Sequence, residues 1–154
     1  MVMFFYLIAF AAGLALATQA AINSQLSKAV GEQPVVAALI SFFTGTLLLL
    51  FITLSKANLS EIWFNLPHQP WWKWIGGPLG AMVVFTTVLL APKVGVSNML
   101  FFIIVGQLIM AMLIDHYGLI SMPVRSATLW KFIGLTVVFI GMTLFFYGDK
   151  WFKS

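Results

Sequence analysis

Two pairs of carboxamides and one acid–imidazole step are the residues with chemistry to offer. Gln19 and Asn23 stand four apart, one helical turn, so they share a face. Asn98 and Gln107 are nine apart in a later apolar run. Nine residues turn a helix through about 900°, so these two face opposite ways and need different partners. At the end of that run the chain reads Ile114-Asp115-His116-Tyr117-Gly118, where an acid and an imidazole abut each other and an apolar stretch. Carboxamides donate and accept hydrogen bonds without charge, so they can line the path of a polar solute or join one helix to another. An acid beside an imidazole can relay a proton or hold a cation, which makes Asp115 and His116 the candidates for ion coupling. The plainer alternative is a helix end, with Gly118 near the C-cap and Asp115 paired to a loop base such as Arg125. Ser41, Thr44 and Thr46 are milder, because a hydroxyl can bond back to its own helix.

Other chemistry is excluded by what is missing. Cysteine is absent, which removes disulfides, thiolate metal sites and cysteine nucleophiles. Two histidines and four carboxylates form no nucleophile–base or metal-ligand cluster, so neither an enzyme nor a cofactor or metal is expected. The formal charge of +4 lacks the clustered basic face that nucleic acid requires.

The elements that hold these residues follow from the distribution of charge. Of 154 residues, 62% are hydrophobic and 8% charged, too few charges to cover a water-soluble surface. Charge-free apolar runs cover about 4–26, 35–54, 74–91, 96–114 and 129–147, the last with Lys131 near enough to its end to snorkel. Each is long enough, near 20 residues, to cross the hydrocarbon. Breakers fill the connections: Gly31 and Pro34, Pro67 and Pro70, Pro92 and Gly95, Gly118 and Pro123. A lipid-embedded segment must satisfy its own backbone, and period-2 alternation is missing, so helices are expected and a barrel is not. The fold class is therefore all-α integral membrane, one domain over 1–154 with five transmembrane helices. The first span lacks a preceding basic residue, which argues against a cleaved signal peptide despite Ala15-Leu16-Ala17. Trp63, Trp71, Trp72, Trp74, Trp130 and Trp151 lie beside spans, as an aromatic interfacial belt does. Residues 59–66 fit a short interfacial helix with Glu61 and Asn65 on its wet side.

Five spans put the termini on opposite sides, and the basic residues then divide four against four. Lys56, Lys73, Arg125 and Lys131 fall on one side; Lys28, Lys93, Lys150 and Lys153 fall on the other. The positive-inside rule thus returns no orientation. A chain that inserts both ways can pair with an inverted copy of itself, and transporters are commonly built from two inverted repeats. Small residues supply faces for close packing, within a copy or between two: Ala9, Gly13, Ala17 and Ala21 in the first span, and Gly76 and Gly80 in the third. In the last span Gly134, Gly141 and Gly148 recur every seven residues.

The residues also resemble a known family, the small five-helix bacterial proteins of the drug/metabolite transporter superfamily related to the EamA-like transporters. The matching stretches are Gln19-Ala-Ala-Ile-Asn23 with Leu26, and Ala38-Leu-Ile-Ser41-Phe42 with Gly45. They continue as Gly76-Gly-Pro-Leu-Gly80, Pro92-Lys-Val-Gly95-Val96, Gly106-Gln107-Leu108 and Ile114-Asp-His-Tyr-Gly118-Leu119, then Pro123 and Gly134. The resemblance implies a multi-pass inner-membrane protein acting as half of a ten-helix, inverted-repeat (5+5) transporter. Similar proteins occur as single dual-orientation copies, oppositely oriented pairs or tandem fusions. The four-helix multidrug members use a glutamate within their first helix. No acid lies in the first span here, so the resemblance does not carry their cation exchange over.

The expected function is a secondary transporter subunit for a small organic metabolite or drug-like molecule, working as an antiparallel homodimer in the lipid bilayer. Gln19, Asn23, Asn98 and Gln107 are expected to line the path. Two rivals are a subunit flipping lipids or lipid-linked sugars, which the aromatic loop at 63–74 would serve, and a non-transporting assembly subunit using the last glycine face.

Overall fold

The computed structural model describes residues 2–152, and within these the side chains of Asp149 and Phe152 are not described; Lys153, counted above among the basic residues, lies outside. The described residues form six α-helices and contain no strand: α1 (Val2–Ala29), α2 (Pro34–Lys56), α3 (Leu59–Asn65), α4 (Gly76–Val94), α5 (Val96–Tyr117) and α6 (Leu129–Phe152). Five are long and apolar enough to cross a membrane, with the third crossing taken as Trp71–Val94. α3 is the short exception, and it falls where an interfacial helix is expected. Asn58 caps it, its side chain accepting from the Glu61 N–H at 3.5 Å and donating to the Glu61 carboxylate at 3.4 Å. Trp63, 85% exposed, and Phe64, 74% exposed, lie on this helix, as rings at a headgroup layer do.

The helices run past the charge-free runs because basic residues occupy last turns. Lys28, Lys56 and Lys93 end α1, α2 and α4, where an ammonium complements the unsatisfied carbonyls and reaches the headgroups. Glycine makes the stops. α1 closes through Gly31 at φ 83°, followed by Glu32 at φ 58°, and Pro34 then opens α2 where its missing N–H costs nothing. A single residue, Gly95, separates α4 from α5, at φ 85° and ψ 148°, a conformation open in practice to glycine alone.

The chain packs as two compact units that meet in sequence between Val96 and Ser97. In the first, α1, α2 and α4 pack on one another. Their buried residues are nearly all small or hydroxyl-bearing: Ala20, Ser24 and Ser27 of α1, Ala37 and Ala38 of α2, and Thr87 and Ala91 of α4, with Val88 the largest fully buried side chain. In lipid, apolar bulk gains nothing by leaving its surroundings, so close backbone approach and interhelical hydrogen bonds must hold helices together. This layer supplies both. The face of α1 that packs is therefore the one through Ala20, Ser24 and Ser27. Ala9 and Ala21 are exposed, and nothing lies within 4 Å of a Cβ placed at Gly13.

The second unit contains α5 and α6 and the connection between them. Phe101 meets Phe145 at 4.7 Å between ring centroids, and Phe102 stacks on Phe146 at 5.6 Å. Residues near the start of α5 thus touch residues near the end of α6, so the pair is antiparallel. Val105 and Met142 are buried along the same seam. The connection folds back on the end of α5: Gly118 takes the left-handed conformation at φ 61°, and the Arg125 N–H donates to the Asp115 carbonyl at 2.7 Å. A Cβ at Gly118 would stand 2.7 Å from Val124 Cγ2, so both the conformation and the space require glycine. Ile120 and Ser121 also have positive φ, 58° and 60°, a costly state for a β-branched residue.

Candidate functional site

The four carboxamides have different fates. Asn23 is 4% exposed, and its Nδ2 donates to Ser41 Oγ at 3.1 Å, bonding α1 to α2. Ser41, read from sequence as a hydroxyl that can bond back to its own helix, is thus the partner of the first span's amide. Thr18 and Thr44 do bond back to their own helices, to the carbonyls of Leu14 and Ile40. Gln19 shares the face of Asn23 one turn earlier but is exposed. Asn98 and Gln107 of α5 are exposed as well. Gln107 stands at the centre of α5, whose 22 residues span about 33 Å. No hydrogen bond reaches the side chain of Gln19 or Gln107 among the described residues.

The acid–imidazole step at the end of α5 divides its work. His116 Nδ1 accepts the Ala127 N–H at 3.0 Å, which places the proton of the neutral ring on Nε2 and pins the connection to the helix. Its ring also stands edge-on to Tyr117. Asp115 is half-buried, and the loop base Arg125 reaches it through the backbone, not through an ion pair. Asp115 instead lines a cleft of about 450 Å³ between α5 and α6, with Leu108, Ala111, Lys131, Gly134 and Val138 among its other walls. Lys131, read from sequence only as a snorkelling end charge, faces this cleft from the other helix. The register explains why. Phe101, Leu108 and Asp115 recur every seven residues on α5, as do Lys131, Val138 and Phe145 on α6, so an antiparallel pair fixed at Phe101–Phe145 brings Asp115 opposite Lys131. That pairing was unreadable without the direction and register of the two helices.

Two further cavities belong to the first unit. One of about 550 Å³ has Gln25 and Lys28 of α1 facing Pro92 and Gly95. The other, about 430 Å³, is apolar, with Phe42 of α2 opposite Met82 and Phe85 of α4. Gln19, Asn23, Asn98 and Gln107 are not in the walls of these three cavities.

Among the glycines proposed for packing, Gly80 has a neighbour in the chain, a Cβ there standing 3.7 Å from the Phe42 ring. At Gly13, Gly76, Gly134, Gly141 and Gly148 a Cβ would meet nothing within 4 Å, so those positions are open to whatever lies outside their own helix. Among the described residues no group of three or more His, Cys, Asp or Glu side chains could hold a metal ion.

Five charge-poor helices, each long and apolar enough to cross a bilayer, define a multi-pass membrane protein. The chain belongs to the family described as "Putative inner membrane exporter, YdcZ", whose model matches residues 4–144 and which is related to the drug/metabolite transporter superfamily. It is accordingly an inner-membrane protein of a transporter family. No curated protein and no solved structure matches the chain.

Proposed function

We propose that the chain is one half of an exporter: a subunit that moves a small organic molecule out across the inner membrane by alternating access, paired with an antiparallel second copy of itself. One observation carries the reading. The Gln107 amide sits at the centre of a membrane-spanning helix, exposed and without a hydrogen bond among the described residues. An amide left in hydrocarbon is costly, whereas a second copy or a water-filled path satisfies it. Gln19 repeats the situation in α1. The family match supports export, and the even division of basic residues supports an inverted partner. In this reading Gln107, Gln19 and Asn98 border the path, Asn23 holds α1 to α2, and Asp115 and His116 stand at the mouth of the path.

Gln107→Ala tests the path. Export in proteoliposomes is expected to fall to background while expression and dimer formation hold. Normal export by that variant removes Gln107 from the path. Single-cysteine labelling from each side of the membrane tests the pairing, with every loop expected to label from both sides. Strictly one-sided labelling ends the antiparallel arrangement and leaves export standing.

A further inference from the structure

We infer that the α5–α6 cleft binds a small amphipathic zwitterion, a compact apolar body bearing an ammonium and a carboxylate close together. The inference rests on the exporter reading only in treating that molecule as substrate.

The walls set the shape. At one end the rings of Phe101 and Phe145 close the gap between the helices at 4.7 Å. At the other end stand Asp115 and Lys131, both in the walls of the cleft. Between them the cleft exists because the side chains are small: Gly134 carries none, a Cβ there would meet nothing within 4 Å, and Ala111 faces it from α5. Leu108 and Val138 form the apolar floor. From Asp115 to Leu108 is two helical turns, about 10 Å. A volume of about 450 Å³ lies within the usual range for a small-molecule site. A length of about 10 Å along the helices suits a single ring or short branched chain and is less than the ~15 Å that one leaflet's hydrocarbon offers an acyl chain. The occupant is therefore a small molecule and not a membrane lipid.

The charges set the head group. Asp115 and Lys131 line the same end of the cleft from opposite helices, and neither side chain has an ion pair or a hydrogen bond among the described residues. A ligand bearing only a cation would satisfy Asp115 and be repelled by Lys131, and one bearing only an anion would meet the reverse. A head with both charges satisfies both walls at once, while its apolar body fills the floor below. This assigns Asp115 to the ammonium of the ligand in place of a coupling ion. His116, which accepts the Ala127 N–H, ties the connection to the end of α5 and is not in the walls of the cleft.

The test uses the full chain in lipid nanodiscs and four probes built on one ring: phenylalanine with both charges, phenethylamine with the cation, 3-phenylpropionate with the anion, and phenethyl alcohol with neither. Competition against radiolabelled phenylalanine is expected to rank phenylalanine first. Each singly charged analogue should bind about tenfold more weakly, the loss of one charge-assisted contact, and the alcohol weakest. Asp115→Asn should erase the preference over 3-phenylpropionate, and Lys131→Gln the preference over phenethylamine. Ala111→Phe should fill the cleft and abolish binding of all four. The crossed change in selectivity separates recognition from a general loss of folding, which would weaken every probe alike. Equal binding of the four probes, no binding of any, or a ranking unchanged in both charge variants overturns the inference. So does a signal that follows the phosphatidylethanolamine content of the nanodisc instead of the probe. Export is read separately in proteoliposomes: export without this binding overturns the cleft alone, and binding without export overturns the exporter alone.

Discussion

Removing the Asn23 amide separates a helix held by polar contacts from a helix lined for passage. Asn23, 4% exposed, donates to Ser41 Oγ at 3.1 Å. Interhelical hydrogen bonds in membranes average about 0.6 kcal/mol and reach about 1.7 kcal/mol. Asn23→Ala also vacates about 25 Å³, and at about 24 cal/mol per Å³ this adds about 0.6 kcal/mol where the helices cannot close on the space. The expected cost is therefore about 1.2 kcal/mol, and about 2.3 kcal/mol at the upper end. The lower value is about an eightfold shift in the unfolding equilibrium. Ser41→Ala should cost about 0.6 kcal/mol, and the double variant should fall short of the sum by about 0.6 kcal/mol because the same bond cannot be lost twice. Equilibrium unfolding in mixed micelles, followed by far-ultraviolet circular dichroism, measures all three. An Asn23→Ala protein within about 0.3 kcal/mol of the parent, or additive effects within that margin, would refute the assignment of Asn23 to helix joining. If export fell in the same variant, its amide would belong to the path alone.

Two other outcomes follow from the connection after α5. Gly118→Ala forces a side chain into left-handed backbone and against Val124, so it should lower stability by about 1–3 kcal/mol, read as a drop in thermal midpoint. Adding Val124→Ala should recover most of the steric part and leave the conformational part together with the contact to the Met122 carbonyl at 3.1 Å. His116→Ala deletes the acceptor of the Ala127 N–H, and amide exchange over residues 118–128 should accelerate while the helices keep their protection; unchanged exchange there would show that the imidazole does not hold the connection.

The five crossings were legible because lipid leaves few solutions, and charge-free runs near 20 residues admit one reading. Their ends were less so. The first run, read as 4–26, extends over Val2–Ala29, since a lysine in a last turn belongs to the helix although it ends the apolar stretch. The packed face of α1 was harder still. A stripe of small residues every four positions passes through Gly13, yet the buried stripe is the neighbouring one through Ala20, Ser24 and Ser27. Spacing shows that a helix has a small face but not which of two adjacent stripes meets the neighbouring helices. Lys131 opposite Asp115 was hidden for a similar reason. Sixteen residues of sequence separate them, and only an antiparallel register makes them neighbours of one cleft.

The division between Val96 and Ser97 has a consequence in time. Contacts among α1, α2 and α4 are complete within the first 96 residues, and those of α5 with α6 need only the remainder. At about 5–20 residues per second of synthesis, the last 58 residues take about 3–12 s to emerge. The three-helix unit thus has every partner for its own bonds, Asn23 and Ser41 among them, seconds before the ribosome has delivered α6. Synthesis hands the membrane two successive sets of helices, and the first needs nothing from the second for its own contacts.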